Sequence, residues 1–302
     1  MTANKKIIFI GGTSRSGSTL LDVFLANDPK AMSLGEIYAL FHPTRVHHFE
    51  EIEKLRDNNK WNKILKGGKR NLFDNLIKEF PDMNTFVDSS KDPFWINYHE
   101  KRLKEKFQIY NVLIYKAPEE LAQSFKKRGQ EKNWFTHYIN YHRKYFSLIK
   151  DCITVSYFDF INNEKTKKDL CNYLHIHYSE EKSQYWKGSH STFFGSNSIK
   201  SEQGYIASKQ ITSNNRNSIE YQAPELGVIN KVALLREKNK IINVIEISLN
   251  SRSLSENHQQ KYSGKLELKV NPIIMLLLKV KRQIFYKYKY HFPSDYFKKQ
   301  SS

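Results

Sequence analysis

Residues 5–25, KKIIFIGGTSRSGSTLLDVFL, decide the fold. Residues 7–10 are a short apolar run rich in isoleucine, which reads as a buried strand. Gly11 and Gly12 then permit a tight turn into a hydroxyl-rich loop. From about Ser18 the pattern becomes helical, with Leu20, Leu21, Phe24 and Leu25 on one face. Strand, glycine loop and helix make an anion cradle. The loop N–H groups point at the anion, and the positive end of the helix dipole faces it.

The loop approaches a Walker A box and then departs from it. Gly12 and Gly17 have the right spacing, but Ser18 stands where the lysine before Thr19 is expected. An NTPase uses that lysine on its terminal phosphates and needs Mg²⁺ held by a strand-end acid. The one cation in this loop is Arg15. Thr13, Ser14, Arg15, Ser16, Ser18 and Thr19 all carry a hydroxyl or a charge, which argues for a ligand over a plain glycine turn. A donor with less charge on the transferred group, such as a sulfuryl donor, suits Arg15, the loop amides and the hydroxyls without a metal.

A chain of 302 residues can bury one large core, or one core plus an appendage. The net charge of +18 favours an anionic partner: nucleic acid, an acidic membrane face or anionic substrates. Two cysteines, Cys152 and Cys171, make no disulfide framework and indicate a reducing compartment. The N-terminal apolar run is too short for a signal peptide, and no apolar stretch reaches the roughly 18 residues of a spanning helix. The expected location is cytoplasmic.

Further along, residues 31–34 read as a strand ending in Gly35-Glu36, at the edge where open α/β sheets place their ligands. Glu36 is a candidate general base. His42, His47 and His48 fit no metal spacing and read as solvated or packed. Residues 85–87 form the next strand, followed by Ser89-Ser90-Lys91-Asp92-Pro93, with Pro93 suited to a helix start. Lys91 can stabilise charge on a leaving oxygen.

A strand centred on residues 112–114 ends at Lys116, and residues 119–128 continue as a helix carrying Ser124 and Arg128 on one face. Lys116, Ser124 and Arg128 can converge on one phosphate. Residues 133–150 are helical and aromatic, either core or part of a substrate wall. Residues 153–155 are a strand leading into Tyr157, and a short helix covers about 163–174. Residues 188–210 read as a long loop.

The alternation predicts an α/β fold of P-loop type, three layers α/β/α around a central parallel sheet, over residues 1–210. Residues 211–302 are expected to form a helical, basic C-terminal extension, with one or two helices over 226–249. Its last stretch interleaves cations with Tyr and Phe, which suits an anionic membrane surface. The rival reading is a core helix with a frayed basic tail.

Together these stations resemble the PAPS-dependent sulfotransferase family over about residues 5–200. PAPS is 3′-phosphoadenosine 5′-phosphosulfate. The branch resembled holds the Golgi tyrosylprotein and carbohydrate sulfotransferases and their bacterial relatives. RSGSTLL, residues 15–21, resembles the 5′-phosphosulfate loop, Gly35-Glu36 the segment bearing the general base, and Ser90-Lys91-Asp92-Pro93 the segment bearing the catalytic lysine. The resemblance implies a 3′-phosphate site at Lys116, Ser124 and Arg128, a nucleotide-bordering Tyr157, and a late loop carrying Lys200. Two departures stand out. Lys116 replaces an arginine, so a bidentate grip becomes a point charge. The late loop reads Gly195-Ser196-Asn197 where the family has Gly-Asn.

The implied activity is transfer of a sulfuryl group from PAPS to an acceptor hydroxyl, with adenosine 3′,5′-bisphosphate as product and no metal. Glu36 is the base, and Lys91 and Arg15 stabilise the transition state. Gly12, Thr13, Ser14, Ser16, Gly17, Ser18 and Thr19 complete the donor loop. The expected acceptor is a glycan or glycolipid, and nucleic acid is not an expected partner. The alternatives are a P-loop kinase or NTPase and a non-catalytic nucleotide-binding membrane adaptor.

Overall fold

The computed structural model describes residues 5–187, 192–194, 223–254 and 280. Every element described belongs to the first of the chain's two compact units, Met1–Glu267; the second is Leu268–Ser302. Lys200, residues 211–222 and the basic tail from Asn271 lie outside the described residues, apart from Val280.

The apolar runs form a five-stranded sheet, β1 (Lys6–Gly11), β2 (Ala31–Gly35), β3 (Thr85–Asp88), β4 (Gln108–Tyr115) and β5 (Ile153–Ser156). Its order is β2-β3-β1-β4-β5, and every pairing is parallel. A parallel sheet needs cover on both faces, which is why β1 reads as one continuous apolar run: residues 7–10 are wholly buried. On one face α1 (Ser18–Ala26) supplies Leu21, Phe24 and Leu25, which pack with Ile8, Ile10, Val112 and Ile114.

The sequence between β2 and β3 holds α2 (Tyr38–Phe41), α3 (Val46–Arg56), α4 (Asn59–Lys66) and α5 (Leu72–Glu79). After β3 comes α6 (Pro93–Leu103), started by Pro93 and capped by Asp92, whose carboxylate accepts from the Trp95 N–H at 2.9 Å. On the face opposite α1, Phe9 meets Phe73 of α5 edge-on at 5.6 Å and lies over His99 of α6. After β4 come α7 (Pro118–Lys126) and the aromatic α8 (Trp134–Leu148). The sequence extended the first of these to Arg128. The helix stops at Lys126, and Arg128 sits in the turn just beyond, its N–H bonded to the Phe125 carbonyl.

After β5, Ser156 caps α9 (Tyr157–Asn162), and α10 (Glu164–Tyr173) follows. The region 226–249 resolves into two helices, α11 (Leu226–Lys238) and α12 (Ile241–Asn250). Arg236 of α11 pairs with Glu119 of α7 and Glu246 of α12 at 2.8 and 2.9 Å. Beyond α12 the chain bonds to the outer edge of β5. The Thr154 N–H donates to the Arg252 carbonyl at 3.0 Å, and its hydroxyl to the Leu249 carbonyl at 2.6 Å. That protects an edge that would otherwise offer unpaired backbone groups. Among the described residues no helix is long and apolar enough to cross a membrane.

Candidate active site

All five strands run parallel, so their C-terminal ends share one edge, and the sequence-predicted residues follow those ends: the glycine loop after β1, Glu36 after β2, Lys91 after β3, Lys116 after β4 and Tyr157 after β5. Gly12 and Gly17 are required there. Gly17, at φ +98°, precedes α1 and brings no side chain across its N-terminus; a Cβ on it would stand 2.4 Å from the Tyr157 ring. A Cβ on Gly12 would meet the Ser16 hydroxyl at 2.3 Å. Thr13, Ser16, Ser18 and Thr19 are buried, while Ser14 and Arg15 are exposed. The Ser16 hydroxyl is wholly buried and has no hydrogen-bond partner. Such a group costs free energy unless something bonds to it.

Arg15 comes within electrostatic reach of both Arg128 and Lys116. Burial, then the positive charge of Arg128, lowers the Arg15 pKa. Burial also lowers Lys116; Glu120 opposes this, and Arg15 and Lys127 add to it. Lys116 lies 4.2 Å over the face of Tyr157, the ring that packs on Gly17. Among the described residues no carboxylate is within ion-pair distance of Arg15, Lys116 or Arg128. Ser124 is half-buried on α7. A partly buried Lys116 beside Arg15, which also feels the charge of Arg128, makes a positive cluster suited to an anion.

Glu36 and Lys91 form an ion pair, Lys91 Nζ donating to Glu36 Oε1. Arg15 and Lys91 both adopt left-handed backbone, at φ +73° and +64°. That conformation is rare for residues with a side chain and clusters at functional sites. Thr192–Phe194 of the late loop packs against the Glu36 turn. The Glu36 N–H donates to the Phe193 carbonyl at 2.7 Å, and Ser33 donates to Thr192 at 2.7 Å. Only glycine fits at Gly35, because a Cβ there would be 2.1 Å from the Phe193 oxygen. His48 packs on Phe194 and accepts from the Thr44 N–H, and His42 lies against Tyr38; both fit the packing reading.

Beneath Lys91 lie two enclosed acids. Asp88 accepts from the Ser90 N–H at 2.8 Å and from the Trp95 indole at 2.7 Å. Both oxygens of this strand-end acid are therefore engaged by protein groups. Burial pushes Asp88 up to about 6 and Asp22 of α1 up to about 7.

Two residues of α8 that sequence reasoning assigned to core or substrate wall, or passed over, hold the glycine loop. Tyr141 accepts the Gly12 N–H at 2.7 Å, and His137 Nε2 accepts the Ser14 N–H at 3.2 Å. Burial, with Lys144 adding, lowers the His137 pKa and favours this unprotonated acceptor. The residues are four apart, on one face of α8; that spacing was the only available signal. Beside them a groove of about 500 Å³ is lined by Ser14, Gln130, Asn133, Asn140 and Lys144, among others.

Sheet order, glycine loop and strand-end residues define an α/β P-loop-like fold of sulfotransferase type. The sulfotransferase domain of the Synechococcus PCC 7002 olefin synthase superimposes with a TM-score of 0.51 at 17% identity, over 78% of this chain and 96% of that domain. The sulfotransferase domain from the curacin biosynthetic pathway gives a TM-score of 0.47 at 16% identity, over 62% and 79%. The likeness is one of fold. No family model and no curated protein matches the chain.

Proposed function

We propose that the protein is a sulfotransferase that moves a sulfuryl group from PAPS to an acceptor hydroxyl. The observation that carries this reading is the electrostatic coupling of Arg15 to both Arg128 and Lys116, none of the three in an ion pair among the described residues, beside a loop with an orphaned buried hydroxyl at Ser16. Arg15, Ser16, Ser18, Thr19 and the loop N–H groups not taken by Tyr141 and His137 hold the 5′-phosphosulfate. Lys116, Ser124 and Arg128 hold the 3′-phosphate, and Tyr157 borders the nucleotide.

Glu36 takes the proton from the acceptor hydroxyl as its oxygen bonds to sulfur. The bond from sulfur to the bridging oxygen breaks, and adenosine 3′,5′-bisphosphate leaves. Lys91 turns from Glu36 to the charge growing on that oxygen, freeing the carboxylate to act as base. The acceptor proposed is a hydroxyl of a glycan or glycolipid, and it must reach the Glu36 carboxylate. The absence of a lysine at position 18 and the engagement of both Asp88 oxygens speak against the kinase or NTPase reading.

The test is transfer of labelled sulfuryl from PAPS to a panel of glycans, glycolipids and phenols, with the wild type and Glu36→Gln. Removing a general base costs about 10²–10⁴-fold in rate, with nucleotide affinity unchanged. Equal turnover by the two proteins removes Glu36 from the role. Nucleotide binding without transfer to any acceptor favours a non-catalytic nucleotide-binding protein.

A further inference from the structure

The Tyr141 hydroxyl makes two hydrogen bonds in opposite senses. It accepts the N–H of Gly12, the residue that opens the glycine loop, at 2.7 Å, and donates to the carbonyl of Lys91 at 2.7 Å. One oxygen on α8 therefore ties the loop after β1 to the loop after β3. Each end has a conformational requirement: Gly12 lies at φ +157° where a Cβ would clash, and Lys91 is left-handed at φ +64°. A non-glycine residue leaves that conformation unless its surroundings hold it. A hydroxyl can accept from the Gly12 N–H and donate to the Lys91 carbonyl at once.

We propose that Tyr141 is a positioning residue that sets the Lys91 backbone, and so its ammonium group, against the donor loop. The proposal rests on the reading of that loop as the donor site and of Lys91 as the transfer lysine. Neighbouring contacts fit this division of labour. His137, one turn before Tyr141, holds the loop again at Ser14. Tyr145, one turn after it, stacks on the Tyr141 ring at 6.0 Å and fills the space over Gly11, but its own hydroxyl is buried and makes no hydrogen bond. The two tyrosines share ring packing, and only Tyr141 bridges the loops.

Tyr141→Phe keeps the ring and cuts both bonds; Tyr145→Phe is the control. The expected result for Tyr141→Phe is a fall in sulfuryl-transfer kcat of about 10–100-fold, as misplacement of a reacting group costs. The Kd for adenosine 3′,5′-bisphosphate should move less than about threefold, and Tyr145→Phe should change neither. In a Lys91→Ala background Tyr141→Phe should cost less than about twofold, because the group it positions is gone. A merely structural role predicts the same loss in both backgrounds, and that result overturns the proposal, as does an unchanged kcat. Amide hydrogen exchange gives a second readout that needs no turnover. Tyr141→Phe should speed exchange at Gly12 and, with it, across residues 89–92. A change confined to Gly12 overturns the bridge even if the wild type transfers no sulfuryl group, whereas a coupled change in such a protein upholds the bridge while the sulfotransferase reading falls.

Discussion

Asp22→Asn should stabilise the protein at pH 8 and lose that advantage at pH 5. The Asp22 carboxyl is fully enclosed on α1, and one of its oxygens accepts from the Ser89 hydroxyl at 2.6 Å. Burial is the main cause that pushes it up to about 7; the Ser89 and Ser33 hydroxyls oppose this, Asp88 adds to it, and Lys91 opposes it. In the unfolded chain the same group titrates near 3.9. The folded state therefore holds the proton more tightly. Its contribution to stability is complete below about pH 4 and is lost as pH rises through about 7. With those two values, the loss between pH 5 and pH 8 is roughly 2–3 kcal/mol.

Asparagine keeps the shape and an acceptor for Ser89 but has no proton to lose. The free-energy difference between Asp22→Asn and the wild type, from urea unfolding, should therefore grow by roughly 2–3 kcal/mol from pH 5 to pH 8. Taking the difference matters because other groups act with the opposite sign. Burial holds His142 down at about 4 and, with Arg102 and Lys69 adding, His99 at about 3, so both cost stability as pH falls below about 6.5. These are common to the two proteins and cancel. A difference that is flat across this range would refute the raised pKa and the dry, enclosed setting inferred for α1.

Further outcomes are expected elsewhere. Lys116→Arg should tighten adenosine 3′,5′-bisphosphate binding several-fold in titration calorimetry, because a guanidinium grips a phosphate bidentately and still stacks on Tyr157. The seven apolar-rich residues 272–278 are too short to cross a bilayer at about 1.5 Å per residue. The full-length protein should sediment with anionic liposomes at low salt and leave them near 1 M, where the Debye length falls to about 3 Å. A chain ended at Gly264 should stay in the supernatant and still bind the bisphosphate.

The sheet was legible because its strands are apolar runs closed by glycine, charge or proline, as in residues 7–12 and 112–118. The strand-end stations were legible for the same reason, since the end of a parallel strand marks the ligand edge. Local pattern does not disclose what reaches a site from a distant element. Tyr141 and His137 look like any aromatic positions of a buried helix, yet they bond to Gly12 and Ser14 over more than a hundred residues of sequence. Phe193 reaches Glu36 in the same way. The left-handed backbone of Arg15 and Lys91 has no signature in residue type, because neither is glycine or asparagine. Asp22 reads as one polar position in an amphipathic helix, and only the packing of α1 beneath β2 and β3 turns it into an enclosed acid.

The most direct measurement compares adenosine 3′,5′-bisphosphate, 5′-AMP and ATP–Mg²⁺ by calorimetry on the wild type and Arg128→Ala. A PAPS-type donor site requires the bisphosphate to bind the wild type at least tenfold more tightly than 5′-AMP or ATP–Mg²⁺, and Arg128→Ala to remove most of that margin, since a charge-assisted hydrogen bond contributes about 1.5–3 kcal/mol. Equal affinity for the bisphosphate and 5′-AMP, or a preference for ATP–Mg²⁺, would contradict it.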